Sequence, residues 1–282
     1  MTAYKNEFSS EDINCFKPSM KVGLMASINP EGLPHITLLT SMQANKPTEL
    51  IFGQFTNGAS KKFIQENHHI GFLVMTFEKI MWRGKATWTH MAKEGPEYEQ
   101  MNLIPMFRYN TYFGINTVHY FDLLEVSEST PLPMNKIILE ALKTMLGKGA
   151  LRSGANERIL SPYAEKIFND LTSLKFLSYI GEDGYPSIIP VIQCQAADST
   201  RLAFSGGVYT EEMNAIPVGS DVAVFCMNFG IEDILIRGKF SGFQRSRVIN
   251  FGTVDINWVY NTMPPAIGQI YPPVELKACS EF

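Results

Sequence analysis

The 282-residue sequence lacks several features that would assign it to a specialised class of protein. Its four cysteines, Cys15, Cys194, Cys226 and Cys279, are far apart and form no CxxC pair. The N-terminal segment has no apolar run of the kind that secretion signals contain. Scattered thiols without such a signal indicate a reducing cytoplasm, and we expect them to be small buried hydrophobic side chains.

The sequence also lacks an excess of basic residues and a long apolar run. Lysine and arginine number 24 against 28 acidic residues, so the net charge is −4 and no broad positive field exists to attract nucleic acid or an anionic membrane. No stretch approaches the ~20 apolar residues that span a bilayer. With 45% hydrophobic and 18% charged residues, the chain has the composition of two folded domains of about 100–150 residues each.

What the sequence does contain is a repeat. Residues 31–39 return as residues 183–191, and the two glycines of the repeated turn are 152 positions apart (184 − 32). About fifty residues later Arg83-Gly84-Lys85 returns as Arg237-Gly238-Lys239, 154 positions apart (237 − 83). Two segments with the same order and nearly the same spacing indicate a duplicated unit.

Each copy has the hydrophobic pattern of short strands separated by turns. In copy one the pattern predicts strands over 22–29, 34–42, 49–54, 70–77, 80–90 and 111–126, with helices over 57–67 and 94–106. In copy two it predicts strands over 176–180, 185–195, 201–205, 221–229, 233–243 and 253–260, with a short helix near 210–216. Helical spacing also occurs over 134–146 and 156–174, between the copies.

This order of elements does not suit a parallel doubly wound sheet and favours closed antiparallel barrels, which leave no exposed strand edges. We predict a mainly β fold with peripheral helices, in which two tandem split antiparallel β-barrels form a pseudo-dimer. The predicted domains are a first barrel over 1–130, a helical linker over 131–172 and a second barrel over 173–282.

The order of these pieces resembles that of the FMN-binding split β-barrels related to pyridoxamine 5′-phosphate oxidase. In copy one the resemblance is carried by the strand 23–28, the turn 30–35, the strand 36–41, the segment 58–63 with Asn67, and Val74 followed by 83–86. Copy two matches over 174–243 except in the segment that would hold the phosphate. The resemblance implies that the two barrels pack together and hold FMN in the groove between them.

Residues 56–62 (TNGASKK) are suited to hold the phosphate of FMN. Glycine allows close approach of the backbone, and the following helix offers free N–H groups and a positive dipole. The candidate phosphate-binding residues are Thr56, Asn57, Ser60, Lys61 and Lys62. The alternative interpretation is an ordinary capped surface helix with two solvated lysines.

Copy two has acidic residues where copy one has these lysines. Glu211 and Glu212 stand at or near the lysine positions, and a carboxylate pair repels a phosphate. We therefore predict one FMN per chain, bound by copy one, and expect Glu211→Ala and Glu212→Ala to leave cofactor affinity almost unchanged.

The resemblance also implies which residues contact the flavin ring. These lie on the second strand of the hairpin and act largely through backbone groups, and here they are Thr37, Leu38, Leu39 and Thr40. The strand could equally be plain barrel wall. Arg83 could reach the phosphate, but a structural role is favoured because the Arg-Gly-Lys motif survives in the copy without the phosphate segment. No catalytic residue is assigned, and no metal site is expected.

The resemblance implies a flavin-dependent oxidoreductase that acts on a small molecule, with an electron donor such as NAD(P)H. Activity as a true pyridoxamine-phosphate oxidase is not expected, because Trp258 is not followed by the Arg-Leu-x-Pro of those enzymes. Two alternatives remain open: a non-catalytic flavin-binding redox sensor or carrier, and a haem- or deazaflavin-binding member of the same fold. The proline-rich residues 264–273 resemble an extended covering arm, and pairing into a homodimer is possible.

Overall fold

A computed structural model describes residues 3–246, 248–262 and 266–278, and these residues form two antiparallel sheets. The first sheet contains β1 (Tyr4–Lys5), β2 (Val22–Ile28), β3 (Pro34–Leu38), β4 (Gln43–Lys46), β5 (Glu49–Gln54), β6 (His69–Met75), β7 (Ile80–Ala92), β8 (Thr117–Ser127) and β9 (Thr130–Pro131). The second contains β10 (Leu174–Ile180), β11 (Pro186–Pro190), β12 (Gln195–Asp198), β13 (Arg201–Ser205), β14 (Asp221–Met227), β15 (Asp233–Ser246), β16 (Ile249–Asn261) and β17 (Gly268–Tyr271). The helices are α1 (Ser10–Phe16), α2 (Ala59–Glu66), α3 (Pro96–Leu103), α4 (Met134–Gly147), α5 (Pro162–Asn169) and α6 (Thr210–Asn214).

The two sheets have the same strand order. The first runs β3-β2-β6-β7-β8-β5-β4 and the second runs β11-β10-β14-β15-β16-β13-β12. Equivalent strands from β2 to β6 begin 152 positions before their counterparts from β10 to β14. The glycines of the repeated turn both have positive φ, +76° at Gly32 and +78° at Gly184, which explains why glycine occurs there. The predicted mainly β fold with two tandem split barrels is confirmed.

The register of the sheets corrects one part of the predicted repeat. Lys85 lies opposite Gly71, and Arg237 lies opposite Ala223, which is 152 positions after Gly71. A β-bulge follows Lys85 in the first sheet and Arg237 in the second. Arg237 is therefore equivalent to Lys85, and the prediction that the two Arg-Gly-Lys motifs are equivalent is wrong by two residues.

Three buried clusters make up most of the core. One lies inside each unit, where a unit is one sheet with the helices that pack on it. The third joins the two units, and its members include Leu24, Ile36, Leu73, Phe176, Ile188 and Phe225. Burial of apolar surface from both sheets therefore holds the two units together.

The helices predicted as a linker pack mainly on the second unit. The Ser205 N–H donates to Thr144 Oγ1 over 3.0 Å, and Gln195 Nε2 donates to the Ala141 carbonyl over 2.9 Å. Both acceptors belong to α4. The domain limits proposed from the sequence remain a prediction.

Gly71 lies directly against the backbone of the other unit. A Cβ atom at this position would lie 2.1 Å from the carbonyl oxygen of Pro186 in β11. We expect Gly71→Ala to lower the free energy of unfolding by about 1–3 kcal/mol, because the backbone of the other unit must move away. Urea denaturation measures this, with Gly149→Ala as the control, since nothing lies within 4 Å of a Cβ atom there. Equal stability of the two variants would contradict the tight contact.

Candidate functional site

Two grooves lie between the units and are related by the repeat. What we call the first groove is the seam where α2 and β3 of the first unit meet β15 and β16 of the second. The second groove is formed by α6 and β11 of the second unit with β7 and β8 of the first. His35 contacts Trp258 and Tyr260 across the first groove, with ring centroids 6.1 and 5.2 Å apart. Arg83 contacts Glu212 across the second.

The N-terminus of α2 presents a buried positive charge to the first groove. Gly58 caps the helix without a side-chain hydrogen bond, and the first turn contains no acidic residue. Ser60 and Lys61 in this turn are buried, with exposed fractions of 1% and 7%. Among the described residues, none of the hydrogen bonds or ion pairs involves the Lys61 ammonium group. Burial lowers the pKa of Lys61 to about 8.

The opposite wall of the first groove carries a second buried cation. The Arg237 guanidinium lies 3.8 Å over the ring of Trp258. Within the described part of the chain, its Nε and Nη1 atoms have no hydrogen-bond partner, and burial lowers its pKa. His35 lies near both cations and is neutral, because burial, and then Arg237 and Lys61, lower its pKa to about 3. Two buried cations without ionic partners on the described residues make this groove suited to an anion.

Aromatic side chains fill the space beside α2. Tyr260 accepts a hydrogen bond from the Ala59 backbone N–H, at the start of the helix. Its ring stacks on Trp258 with centroids 5.2 Å apart, and the His35 ring packs edge-on against Phe63 at 5.4 Å. A ligand at the start of α2 would therefore share this end of the groove with the Tyr260 hydroxyl.

The predicted site residues differ in their surroundings. Ser60 and Lys61 are buried at the start of α2, whereas Lys62 and Asn57 are exposed and Thr56 is half-buried. The alternative of a surface helix with two solvated lysines therefore agrees with the structure for Lys62, which is exposed, but not for Lys61, which is buried.

The predicted strand residues divide in the same way. Thr37 and Leu38 are half-buried on β3, which ends the described sheet and has a strand partner on one edge only. Leu39 and Thr40 follow the strand. The Leu39 N–H donates to the Gly23 carbonyl over 2.7 Å, and the Leu39 side chain lies in the core of the first unit.

Arg83 lies in the second groove, where it forms an ion pair. Its Nη2 donates to Glu212 Oε1 over 2.9 Å and its Nη1 contacts Glu212 Oε2, so the pair is bidentate. Arg83 is 6% exposed. The structural role favoured for Arg83 agrees with this contact, and its inclusion among phosphate-binding residues does not.

The repeat shows what Glu212 replaces. Strands on both sides of α2 and α6 keep the offset of 152 positions, so Glu212 is equivalent to Ser60, and Met213 is equivalent to Lys61. The two glutamates therefore stand near the lysine positions, as expected, at the equivalents of residues 59 and 60. The Glu212 side chain therefore lies in the second groove at the position that Ser60 has in the first.

Three other expectations concern cysteines, metals and membranes. Cys194 and Cys226 are buried and Cys15 is half-buried, while Cys279 and residues 264–265 of the proline-rich segment lie outside the described residues. No group of three His, Cys, Asp or Glu side chains in the described ranges could hold a metal ion. No helix in those ranges is long and apolar enough to cross a membrane.

No protein-family model matches the sequence, and no curated protein matches it. Solved structures with which it shares similarity include HupZ of Group A Streptococcus, at 18% identity over 42% of this chain and 91% of that one, with a TM-score of 0.35. An FMN-binding protein from Syntrophomonas wolfei subsp. wolfei matches at 13% identity over 43% and 83%, with a TM-score of 0.35. The styrene monooxygenase flavin reductase of Pseudomonas putida S12 matches at 7% identity over 44% and 99%, with a TM-score of 0.26. At TM-scores this low, the similarities carry no argument about the fold or function of this chain.

Proposed function

We propose that this protein binds FMN in the first groove, with the phosphate at the N-terminus of α2, and acts as a flavin-dependent oxidoreductase on a small molecule. The observation that supports the proposal is the buried Lys61 ammonium group, 7% exposed and unpaired among the described residues, at a helix start that lacks a side-chain cap. A phosphate dianion is the kind of partner that such a position favours.

The residues present fit the phosphate end of FMN. The Ser60 hydroxyl and the Ser60 N–H are donors, and Lys61 supplies charge, whereas the Lys61 N–H already donates to the Gly58 carbonyl. Arg237 would add a second cation from the opposite wall. Thr37 and Leu38 would hold the ring through the backbone of an edge strand. Occupation of the phosphate position requires the Tyr260 hydroxyl to leave the Ala59 N–H.

FMN, when bound, supplies hydride and electron transfer. The chain itself binds and orients. Trp258, Tyr260 and Phe63 exclude water from the groove and strengthen every electrostatic contact inside it. His35 is neutral at neutral pH, so it takes no part as a cation.

A titration of the purified chain with FMN and with riboflavin tests the proposal. We expect one FMN per chain to bind, and riboflavin to bind at least tenfold more weakly because it lacks the phosphate. Bleaching of the bound flavin by NADPH or NADH under anaerobic conditions would then support an oxidoreductase. A chain that takes up no FMN, or binds both compounds equally, would overturn the phosphate site.

The affinity for FMN should depend on pH through Lys61. Its pKa of about 8 lies below the usual value for lysine, so the ammonium is charged at pH 7 and mostly neutral at pH 9. The phosphate is already a dianion over this range. We therefore expect the dissociation constant of FMN to rise about tenfold from pH 7 to pH 9, since each pH unit above the pKa reduces the charged fraction tenfold.

Lys61→Met provides the matched control, because methionine occupies the equivalent position 213 of the second unit. The variant should bind FMN weakly at both pH values. An affinity that stays constant in the native chain would contradict a charge contribution from Lys61. An equal change in Lys61→Met would assign the pH dependence to another group.

A further inference from the structure

The second groove contains a cavity of about 780 Å³. At two positions of its β8 wall, smaller side chains stand where the first groove has aromatic ones. Lys85 pairs with Glu125 in the sheet register, as Arg237 pairs with Trp258, so Glu125 is equivalent to Trp258 and Ser127 is equivalent to Tyr260. Residues that line the cavity include Tyr4, Arg83, Glu125, Tyr179, Tyr209 and Glu212.

Two of the cations that line this cavity, Arg83 and Lys85, are neutralised within the protein. Glu212 binds Arg83 in a bidentate pair, and Lys85 binds both Glu125 and Asp183, with Nζ–O distances of 3.0 and 2.6 Å. A phosphate ligand would have to displace a carboxylate from a buried arginine. The second groove therefore disfavours the phosphorylated ligands that suit the first.

Two hydrogen-bond donors in the cavity wall are left without partners. Arg83 Nε and Tyr209 Oη are buried and have no acceptor among the described residues. Burial raises the pKa of Tyr209 to about 12 and also raises those of Tyr4 and Tyr179, so all three phenols are neutral donors at physiological pH. An acceptor oxygen on a ligand would satisfy the two unpaired groups.

Tyr209 adopts an uncommon backbone conformation at this place. Its φ and ψ are 51° and 40°, in the left-handed region that non-glycine residues rarely occupy. The Tyr209 ring lies beneath the Arg83 guanidinium, and its centroid is 5.2 Å from Arg83 Cζ. Such conformations concentrate at ligand-binding sites, where the surrounding structure maintains them.

We propose that the second groove binds a planar aromatic compound that carries a carbonyl oxygen and no phosphate, as quinones do. The carbonyl would accept from Tyr209 Oη–H and Arg83 Nε–H, and the ring would lie among the tyrosines and the apolar side chains of Ile188 and Ile189. A volume of about 780 Å³ is within the range for pockets that enclose small organic ligands. The proposal is independent of flavin binding in the first groove.

Calorimetric titration of the full chain with 2-methyl-1,4-naphthoquinone tests the proposal. We expect one equivalent to bind, and Tyr209→Phe, which removes only the hydroxyl donor, to weaken binding at least tenfold. Tyr112→Phe is the matched control, since Tyr112 is 91% exposed, and it should bind as the native chain does. Glu125→Trp, which introduces the residue of the first groove, should weaken binding by narrowing the cavity.

Lys61→Met distinguishes the two grooves. It should weaken FMN binding and leave quinone binding unchanged. Three outcomes would overturn the proposal. The first is no quinone binding by the native chain, and the second is native affinity for the quinone in folded Tyr209→Phe and Glu125→Trp. The third is loss of quinone binding in Lys61→Met. Thermal unfolding of each variant establishes that it is folded.

Discussion

Ser60→Glu should reduce the affinity for FMN by at least a hundredfold. The substitution places a carboxylate at the position that Glu212 occupies in the second groove, beside the buried Lys61 ammonium. The carboxylate would neutralise the lysine and repel the phosphate, and at short range inside a protein this repulsion amounts to several kcal/mol. Quenching of flavin fluorescence on titration measures the affinity.

Ser60→Ala is the control for this experiment. It removes one hydroxyl donor, so we expect a loss of about 1 kcal/mol in binding, or a few-fold in affinity. Since Ser60 is buried, the thermal unfolding of both variants must be compared with that of the native chain. If folded Ser60→Glu bound FMN within threefold of the native affinity, the phosphate would not lie at the start of α2.

Glu212→Ala should lower the free energy of unfolding by about 3 kcal/mol. Arg83 is 6% exposed, and removal of its partner leaves a buried charge uncompensated, which costs about 3–5 kcal/mol in proteins. The lower end of this range applies because the Glu212 side chain is 31% exposed. Urea denaturation measures the change, and FMN affinity in the first groove should be unaffected.

The repeat offers a rescue that a simple loss of contacts would not predict. The first groove has Ser60 and Leu235 at the positions of Glu212 and Arg83, so the double variant Arg83→Leu, Glu212→Ser reproduces an arrangement that the chain already tolerates. We expect it to recover most of the stability lost in Glu212→Ala, because the buried charge is removed together with its partner.

An exposed ion pair provides the comparison for this stability measurement. Lys46→Ala breaks the pair with Glu49, in which the lysine side chain is 61% exposed, and should cost less than about 1 kcal/mol. A cost for Glu212→Ala as small as that of Lys46→Ala, or a double variant no more stable than the single one, would contradict a structural role for the buried pair.

The strands that the sequence predicted are those whose apolar residues face a core. β5 and β13 begin and end as expected, because their apolar runs are bounded by polar residues on both sides. β4 and β12 were not predicted, since QANK and QAAD have weak strand propensity and form strands through pairing with β5 and β13. The helix expected over 156–174 is shorter, because Pro162 begins α5 and the last apolar residue, Leu174, belongs to β10.

The candidate site shows a similar division. The segment around Ser60 and Lys61 could be recognised locally, because a helix start, a glycine and adjacent lysines are close in the sequence. Arg237 and Trp258 could not be assigned to the same groove, since their strands come from the other unit. The equivalence of Arg237 and Lys85 would have indicated Arg237 as a residue of the groove. Aligning the two Arg-Gly-Lys motifs residue by residue concealed that equivalence.

The sequence by itself indicated the repeated order of elements, the strand-rich class of fold and the unequal charges of the two helix starts, because these depend on residue type and spacing along the chain. Tertiary structure alone decided which residue of one copy is equivalent to which of the other, since strand register and β-bulges set that correspondence. It also decided that Glu212 pairs with Arg83 while Lys61 remains buried and unpaired among the described residues. Packing between the units, and not local pattern, brings these charges together or leaves them apart.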